Sequence, residues 1–291
     1  MSWAGAVLQG IFLGGLYALF ACGLSLIFGV MRIINLAHGD LAVLGAFLVW
    51  SVCVRAGVGP FVALLPVLPV MLALGYVLHR TLLARSLRAG PLTPLLTTFG
   101  LAIVIQNALL EAYSPDVRSL GGAAGALATG SWQIGRFTIP WLGLLVLATA
   151  VLVLGGLHLV LRRTKFGREM RATAQDPDTA ALVGVPAGSV YAKATAIAVA
   201  TATLAGVFLG MRSVFDASSG PTQLIFAFEA VVIGGLGSIW GTLWGGIVLG
   251  VAQTVGAAVD PQYSILAGHL VFLIVLAGPR GRGLFRERLA G

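Results

Sequence analysis

Thr138-Ile139-Pro140-Trp141-Leu142-Gly143-Leu144-Leu145-Val146-Leu147-Ala148-Thr149-Ala150-Val151-Leu152-Val153-Leu154-Gly155-Gly156-Leu157-His158-Leu159-Val160-Leu161 contains no Asp, Glu, Lys or Arg, and Arg162-Arg163 follows at once. A helix needs roughly 20 consecutive apolar residues to cross the hydrocarbon core of a bilayer. This stretch meets that length, and the arginine pair marks the end of the crossing. Further apolar segments lie at about 4–29, 36–54, 60–83, 94–112, 189–211, 222–236, 240–259 and 264–278. Hydrophobic residues make up 58% of the 291-residue chain and charged residues 10%, against roughly 25% charged in soluble domains. The mean hydropathy is +0.98. A soluble core of this size cannot bury so much apolar chain, whereas a bilayer can. The expected fold is an all-α, polytopic transmembrane helical bundle of about 8–9 membrane segments, organised as a single domain over residues 1–291. The stretch 222–236 is short for a span, so broken or re-entrant helices are expected there.

The net charge of +8 and the pI near 10.3 do not require nucleic acid, because the basic residues are unevenly placed. Cytoplasmic loops of membrane proteins are enriched in Lys and Arg. With the 162–188 loop placed inside and nine passes counted from it, the inside collects 14 of the 18 basic residues, among them Arg32, Arg80, Arg85, Arg88, Lys193, Arg280, Arg282, Arg286 and Arg288. Arg55, Arg118, Arg136 and Arg212 remain outside. This count puts the N-terminus outside and the C-terminus inside. Residues 113–137 then form an outside loop, rich in Gly and Ala and expected to be loosely structured.

The 40 glycines and 12 prolines lie within apolar runs, where they let helices approach closely or break beside a cavity. Cys22 and Cys53 are isolated in apolar segments and make neither a disulfide framework nor a metal site. Leu19-Phe20-Ala21-Cys22 is a poor lipoprotein box, since no basic region precedes it and Phe20 is bulky. The same missing basic region argues against a cleaved signal peptide. His38, His79, His158 and His269 are scattered, with no spacing for a triad or a metal. No catalytic residue, metal or cofactor is expected.

The 162–188 loop differs from a plain topological anchor. Met170 and Ala174 are four apart and share a helical face. Asp176 suits an N-cap with Pro177 in the first turn of a second helix, and Gly184 suits its end. Two short amphipathic helices lying on the membrane surface are expected. Asn35-Leu36-Ala37-His38-Gly39-Asp40 opens the second apolar segment. It reads either as an interfacial helix start capped by Asn35 with Asp40 near the positive helix end, or as a broken helix whose free backbone groups line a pathway or gate. In Thr97-Thr98-Phe99-Gly100-Leu101-Ala102-Ile103-Val104-Ile105-Gln106-Asn107, residues Thr97, Gly100 and Val104 fall close to one helical face. Gln106 and Asn107 would bond within the bundle or face a pathway. Gly234-Gly235-Leu236-Gly237-Ser238 permits a sharp reversal. The pairs Gly241/Gly245 and Gly246/Gly250 offer small-residue steps for close helix packing. A phosphate-loop reading is weak, because no Lys-Ser/Thr follows. Glu229 lies mid-segment, and intramembrane acids mark functional sites by default.

The 164–185 pattern T-x-x-G-R-x-x-R-A-x-x-x-D-x-x-x-A-x-x-x-G-V resembles the cytoplasmic coupling segment of permeases in the branched-chain amino acid ABC importer family. The 35–40, 97–107 and 234–246 motifs support the same family, and the first of these resembles the first of its two permease types. Related sugar permeases show a Gly-x-Asn step where this chain has Ala174-Gln175-Asp176. The resemblance implies a permease subunit of an ATP-binding cassette importer, not itself an enzyme. Its implied partners are a different second permease, two cytoplasmic ATPase subunits and a periplasmic substrate-binding protein, within a lipid bilayer of the bacterial inner membrane. It further implies that Gly167, Arg168, Arg171, Ala172, Asp176, Ala180 and Gly184 couple to the ATPase. In that scheme Arg168 and Arg171 pair with ATPase groups, and the small residues let the helix sit close. Asn35, His38, Gly39, Asp40, Thr97, Gln106, Asn107, Glu229, Gly234, Gly235 and Gly237 are the candidate pathway or gate residues. A urea or short-amide importer, or an ion-coupled secondary transporter, are the alternative readings.

Overall fold

The structure, a computed structural model, describes residues 3–90, 92–135 and 137–278. Arg136 and the basic residues Arg280, Arg282, Arg286 and Arg288 used in the charge count lie outside the described residues. All nine apolar segments are helical. They are α1 (Trp3–Met31), α2 (His38–Ala56), α3 (Pro60–Leu78), α5 (Thr93–Tyr113), α8 (Trp141–Arg163), α11 (Ala187–Arg212), α12 (Gly220–Gly234), α13 (Ile239–Val259) and α14 (Tyr263–Ala277). A π-helical turn (His79–Leu83) extends α3 into α4 (Ala84–Arg88). Seven of these helices are long and apolar enough to cross a membrane. The exceptions, α12 and α14, have 15 residues each, or about 22 Å of helix against a hydrocarbon core of about 30 Å. The chain is a polytopic helical membrane bundle.

Two helices form its centre. The most apolar 18-residue windows of α1 and α11 are each 83% buried, against 22% for α3–α4, α5 and α8. Apolar attraction cannot drive helices together in lipid, because the surroundings are as apolar as the side chains. Close backbone packing replaces it. Gly10 and Gly14 of α1 face Gly246 and Gly250 of α13. A Cβ added at Gly250 would come 2.5 Å from the Gly14 nitrogen, and one at Gly246 would come 2.6 Å from the Gly14 oxygen. The other glycine pair of α13 serves α12, since a Cβ at Gly245 would lie 2.7 Å from the Gly234 nitrogen. Both expected small-residue steps are therefore helix contacts. The matching Gly10/Gly14 step on α1 was not singled out from sequence. Cys22 and Cys53 are buried and unpaired, as expected.

Loops collect at two ends. One holds residues 113–140 and 213–219, and the other holds 162–187 and the turn 235–238. The 113–137 loop is more ordered than its Gly/Ala content suggested. It contains α6 (Gly121–Ala124), α7 (Ala126–Thr129) and an antiparallel hairpin of β1 (Ser131–Ile134) and β2 (Phe137–Pro140). Paired backbone hydrogen bonds between Arg118 and Phe215, 2.8 and 2.9 Å, tie it to the 213–219 loop, and Leu120 donates to the Gly210 carbonyl at 2.7 Å. Thr138-Ile139-Pro140, read as the start of an apolar span, instead belongs to β2. The hairpin satisfies its backbone groups across the strands, and α8 begins at Trp141.

The glycine contact makes a direct prediction. Gly246→Ala forces α1 and α13 apart and should lower the apparent melting temperature of the detergent-purified protein by several degrees, an overpacking penalty of about 1–3 kcal/mol. Gly122→Ala, where an added Cβ meets nothing within 4 Å, should leave it unchanged or slightly raised.

Candidate functional site

The start of α2 is buried inside the bundle. The chain leaves α1 at Met31, passes Arg32 in a left-handed conformation (φ 54°) and re-enters helix at His38. Asn35, His38 and Asp40 are each 1% exposed or less, which does not fit an interfacial helix start. Nor is Asn35 the N-cap. That position falls on Ala37, and Asn35 Oδ1 accepts from the Ala37 N–H at 3.1 Å, closing the preceding turn. His38 Nε2 lies 2.9 Å from the Phe20 carbonyl, well inside α1, while Nδ1 has no partner. Asp40 Oδ1 accepts from Gln106 Nε2 of α5 at 2.9 Å. The Leu36 N–H donates to Thr98 Oγ1 at 3.1 Å, and Thr98 donates in turn to the Leu95 carbonyl.

The amino ends of α2 and α12 cross at this point. A Cβ on Gly39 would overlap the Gly220 carbonyl oxygen, and one on Gly220 would lie 2.6 Å from Asp40 Cγ. Each helix brings the positive end of its dipole, and the Asp40 carboxylate sits beside both.

Gln106 and Asn107, adjacent in sequence, point in different directions. Gln106 turns inward to Asp40. Asn107 is exposed and donates only to the Ile103 carbonyl of its own helix, at 2.8 Å. Thr97 likewise bonds back to the Thr93 carbonyl. The outward face of α5 is mixed: Gly100, Asn107 and Glu111 lie among exposed Leu96, Phe99, Ile103 and Val104, and Thr97 is half-buried. The outward faces of α8 and α14 instead carry Leu144, Val151, Leu152 and Leu159, and Ile265, Leu266, Leu270 and Ile274. Thr98, buried and bonded to the α2 entry, escaped the sequence reading. Its helical phase with buried Ala102, Ile105 and Leu109 is the signal that distinguishes it from Thr97.

Glu229 is 3% exposed on α12. One carboxylate oxygen makes a short hydrogen bond to His269 Nδ1 on α14, and the other has no partner. The Tyr17 hydroxyl of α1 donates to Gln253 Oε1 of α13 at 2.5 Å. Phe226 joins the two pairs, 5.1 Å from the Tyr17 ring and stacked 6.4 Å from His269. This polar cluster spans four helices. His269, forty residues from Glu229, could not be assigned to it from spacing. Among the described residues no group of His, Cys, Asp and Glu could hold a metal ion.

At the opposite end, α9 (Lys165–Gln175) and α10 (Pro177–Leu182) form the two short helices expected of the 162–188 loop. Thr164 caps α9 through the Gly167 N–H at 3.1 Å. Asp176 caps α10 through the N–H groups of Asp178 and Thr179 at 3.0 and 3.2 Å. The Thr179 hydroxyl also donates to Asp176, and these bonds hold its carboxyl below the ordinary carboxylate range. Gly184 follows the end of α10 at φ 81°.

Several of these residues face the protein's own body. A Cβ on Gly167 would overlap the Leu161 carbonyl. The Arg171 guanidinium donates to that same carbonyl, and Ala180 is buried. Arg168, Leu182 and Val183 point outward, the last two 87% and 76% exposed. Ala172 is half-buried. A cavity of about 350 Å³ separates α9 from the glycine turn, lined by Met170, Arg171 and Ala174 on one side, Gly237, Ser238 and Trp240 on another, and Ser25, Gly29 and His158 between them. The turn reverses sharply, with Gly235 at φ 94° and Gly237 at φ 81°, and Ser238 caps α13.

Comparison with known proteins places this geometry. Residues 6–276 match the family described as branched-chain amino acid transport system, permease component. The chain is 31% identical to the high-affinity branched-chain amino acid transport system permease protein BraD of Pseudomonas aeruginosa, over 94% of each chain. It is 29% identical to the corresponding protein LivH of Escherichia coli K12, over 94% of this chain and 92% of the relative. A fructose import permease, FrcC of Rhizobium meliloti, is 29% identical over 84% of this chain and 69% of its own length. No solved structure matches significantly.

Thr98→Val removes the acceptor for the half-buried Leu36 N–H and should destabilise the α1–α2 connection by about 1–2 kcal/mol. Thr98→Ser keeps the acceptor and should recover most of the loss. Thermal unfolding of the purified variants checks both.

Proposed function

The chain belongs to the family of branched-chain amino acid transport system permease components, and on that premise we propose that it is a membrane-spanning subunit of an ATP-binding cassette importer that carries branched-chain or other small amino acids across a bacterial inner membrane. Within this reading it hydrolyses no ATP. It works with a different second permease, two cytoplasmic ATPase subunits and a periplasmic substrate-binding protein. The whole chain forms one permease domain, with the 162–188 segment and the C-terminus cytoplasmic and the N-terminus periplasmic.

The observation that carries the proposal is the α9–α10 segment. A loop that only anchored topology would not need two capped helices locked to the end of α8. The segment presents Arg168 and the apolar pair Leu182–Val183 to the outside, which suits docking onto a folded partner. Gly167, Arg171 and Ala180 hold it to the permease. Arg171 is exposed while it donates to the Leu161 carbonyl, so it can tie α9 to α8 and still meet the ATPase. Asp176 and Gly184 define the ends of α10, and Ala172 lies beside Arg171.

A zwitterionic amino acid must keep polar partners as it crosses. Two features support a pathway. On α5, exposed Asn107 and Glu111 and half-buried Thr97 supply polar groups among otherwise apolar side chains, which suits contact with water or a second permease at those points. The crossing of α2 and α12, with Asn35, His38, Gly39, Asp40 and Gln106, places helix amino ends within the bundle, where they favour an anionic group. Gly235 and Gly237 give the turn beside the cavity its freedom to move, Gly234 packs against α13 at its edge, and Glu229 is a further buried acid, on α12.

Reconstitution of the complete assembly in proteoliposomes tests the reading. Uptake of leucine should require binding protein, both ATPases and ATP. Uptake that persists without the ATPases would replace it with an ion-coupled transporter, and uptake of urea in preference to leucine would move the substrate class. Arg168→Glu should weaken co-purification of the ATPase about tenfold or more, as expected for a lost charge contact, without lowering permease stability. Glu229→Gln should slow uptake. Unchanged rate and substrate range in that variant would remove Glu229 from the pathway.

A further inference from the structure

The β1–β2 hairpin has two chemically different faces. In an antiparallel pair, side chains alternate between faces and directly paired residues share one. Trp132 pairs with Ile139 and Ile134 with Phe137, which puts four large apolar side chains on a single face. Ser131, Gln133 and Thr138 take the other. Trp132, Ile134 and Phe137 are 53%, 61% and 39% exposed, so the rest of the chain does not cover the apolar face.

The position of the hairpin identifies what does. Pro140 ends β2 and Trp141 begins the membrane-crossing helix α8. The Trp141 N–H donates to the Gly130 carbonyl just before β1, at 3.0 Å. Gln9 of α1 donates to the Thr138 carbonyl at 2.8 Å. Both strands are thus held at the ends of two membrane helices. The Trp132 ring meets the Trp141 ring edge-on at 6.1 Å, which makes the apolar face continuous with the start of α8. The outward side of α8 below it is apolar, through Leu144, Val151 and Leu152. Tryptophan at the end of a membrane helix sits at the headgroup level, where its ring is half in hydrocarbon and half in water.

We propose that the β1–β2 hairpin is a membrane-surface anchor, with Trp132, Ile134, Phe137 and Ile139 inserted at the lipid headgroup–acyl boundary around the start of α8. The partner is the phospholipid surface itself. The inference rests on the bundle's place in a bilayer and is independent of the transported substrate. Anchored this way, the hairpin fixes the height of α8 in the membrane, and α8 carries the α9–α10 segment at its other end.

The test uses the full chain in phosphatidylcholine–phosphatidylglycerol nanodiscs. Trp132→Cys, Ile134→Cys and Gln133→Cys each receive a small environment-sensitive fluorophore. The native Cys22 and Cys53, 3% and 6% exposed, leave the unaltered chain as the labelling blank. Labels at 132 and 134 should lose most of their fluorescence to lipid brominated near the headgroup and little to aqueous iodide. The label at 133 should show the reverse. Having two apolar positions guards against a local disturbance at either one. Equal iodide quenching at all three positions would overturn the proposal. So would iodide quenching at 132 and 134 that disappears only on adding substrate-binding protein, since the face would then be a protein-docking surface.

Discussion

Backbone contact between α1 and α13 is the constraint on which the rest of the bundle depends. Inside a bilayer there is no hydrophobic effect to gather helices, so the close approach of Gly10 and Gly14 to Gly246 and Gly250 supplies what apolar burial would supply in water. With these backbones touching, α13 has its other glycine pair free for α12, and α1 keeps its remaining surface for α8 and α11. The short α12 is then held at both ends, by Gly220 against the start of α2 and by Gly234 against Gly241 and Gly245. A helix of 15 residues is too short to be fixed by the two membrane surfaces, so protein contacts must fix it.

That arrangement explains where the polar groups sit. Two helices that begin inside a bundle expose N–H groups that neither water nor lipid can satisfy. The protein answers with side chains: Asn35 and Thr98 accept from the backbone entering α2, and Asp40, held by Gln106, lies at the crossing with α12. The Glu229–His269 pair follows the same logic one layer away, since it ties α12 to α14. The Asp40–Gln106, Leu36–Thr98, Tyr17–Gln253 and Glu229–His269 contacts therefore join elements distant in sequence and set their mutual register.

Much of the fold was legible because the decisive signals were local. Apolar run length located all nine helices, and the shared face of Met170 and Ala174 with the capping chemistry of Asp176, Pro177 and Gly184 outlined α9 and α10. The glycine pairs of α13 announced close packing. What escaped depended on which residues meet across the bundle. Gly10 and Gly14 look like any other glycines until Gly246 and Gly250 are seen opposite them. His269 is one of four scattered histidines until α14 brings it to Glu229. Asn35 had the residue type for a helix cap, but the helix began later, because the chain first has to descend from the end of α1 into the bundle. The 113–137 loop misled for a related reason. Gly and Ala content reports flexibility of an isolated chain, whereas hydrogen bonds to Gly210 and Phe215 order it here.

The proposed coupling segment shows how a local motif and a distant turn become one mechanical unit. Gly167 and Arg171 both engage the Leu161 carbonyl, so α9 cannot rotate without moving the end of α8. On its other side, α9 faces the cavity whose far wall is the Gly234–Ser238 turn. A packed interface would transmit a push from α9 in one fixed direction. The cavity instead leaves room for α9 to approach the turn, and the two left-handed glycines let the turn yield with little backbone strain. Because that turn joins α12 to α13, its displacement in the proposed cycle would move the crossing at Gly39 and Gly220 through the length of α12. In the proposed subunit, a force applied at Arg168 and Leu182 would reach the Asp40 region through α9, the turn and the short α12, and because the turn also begins α13 and Gly237 lies against Gly29 of α1, the α1–α13 pair would feel the same push.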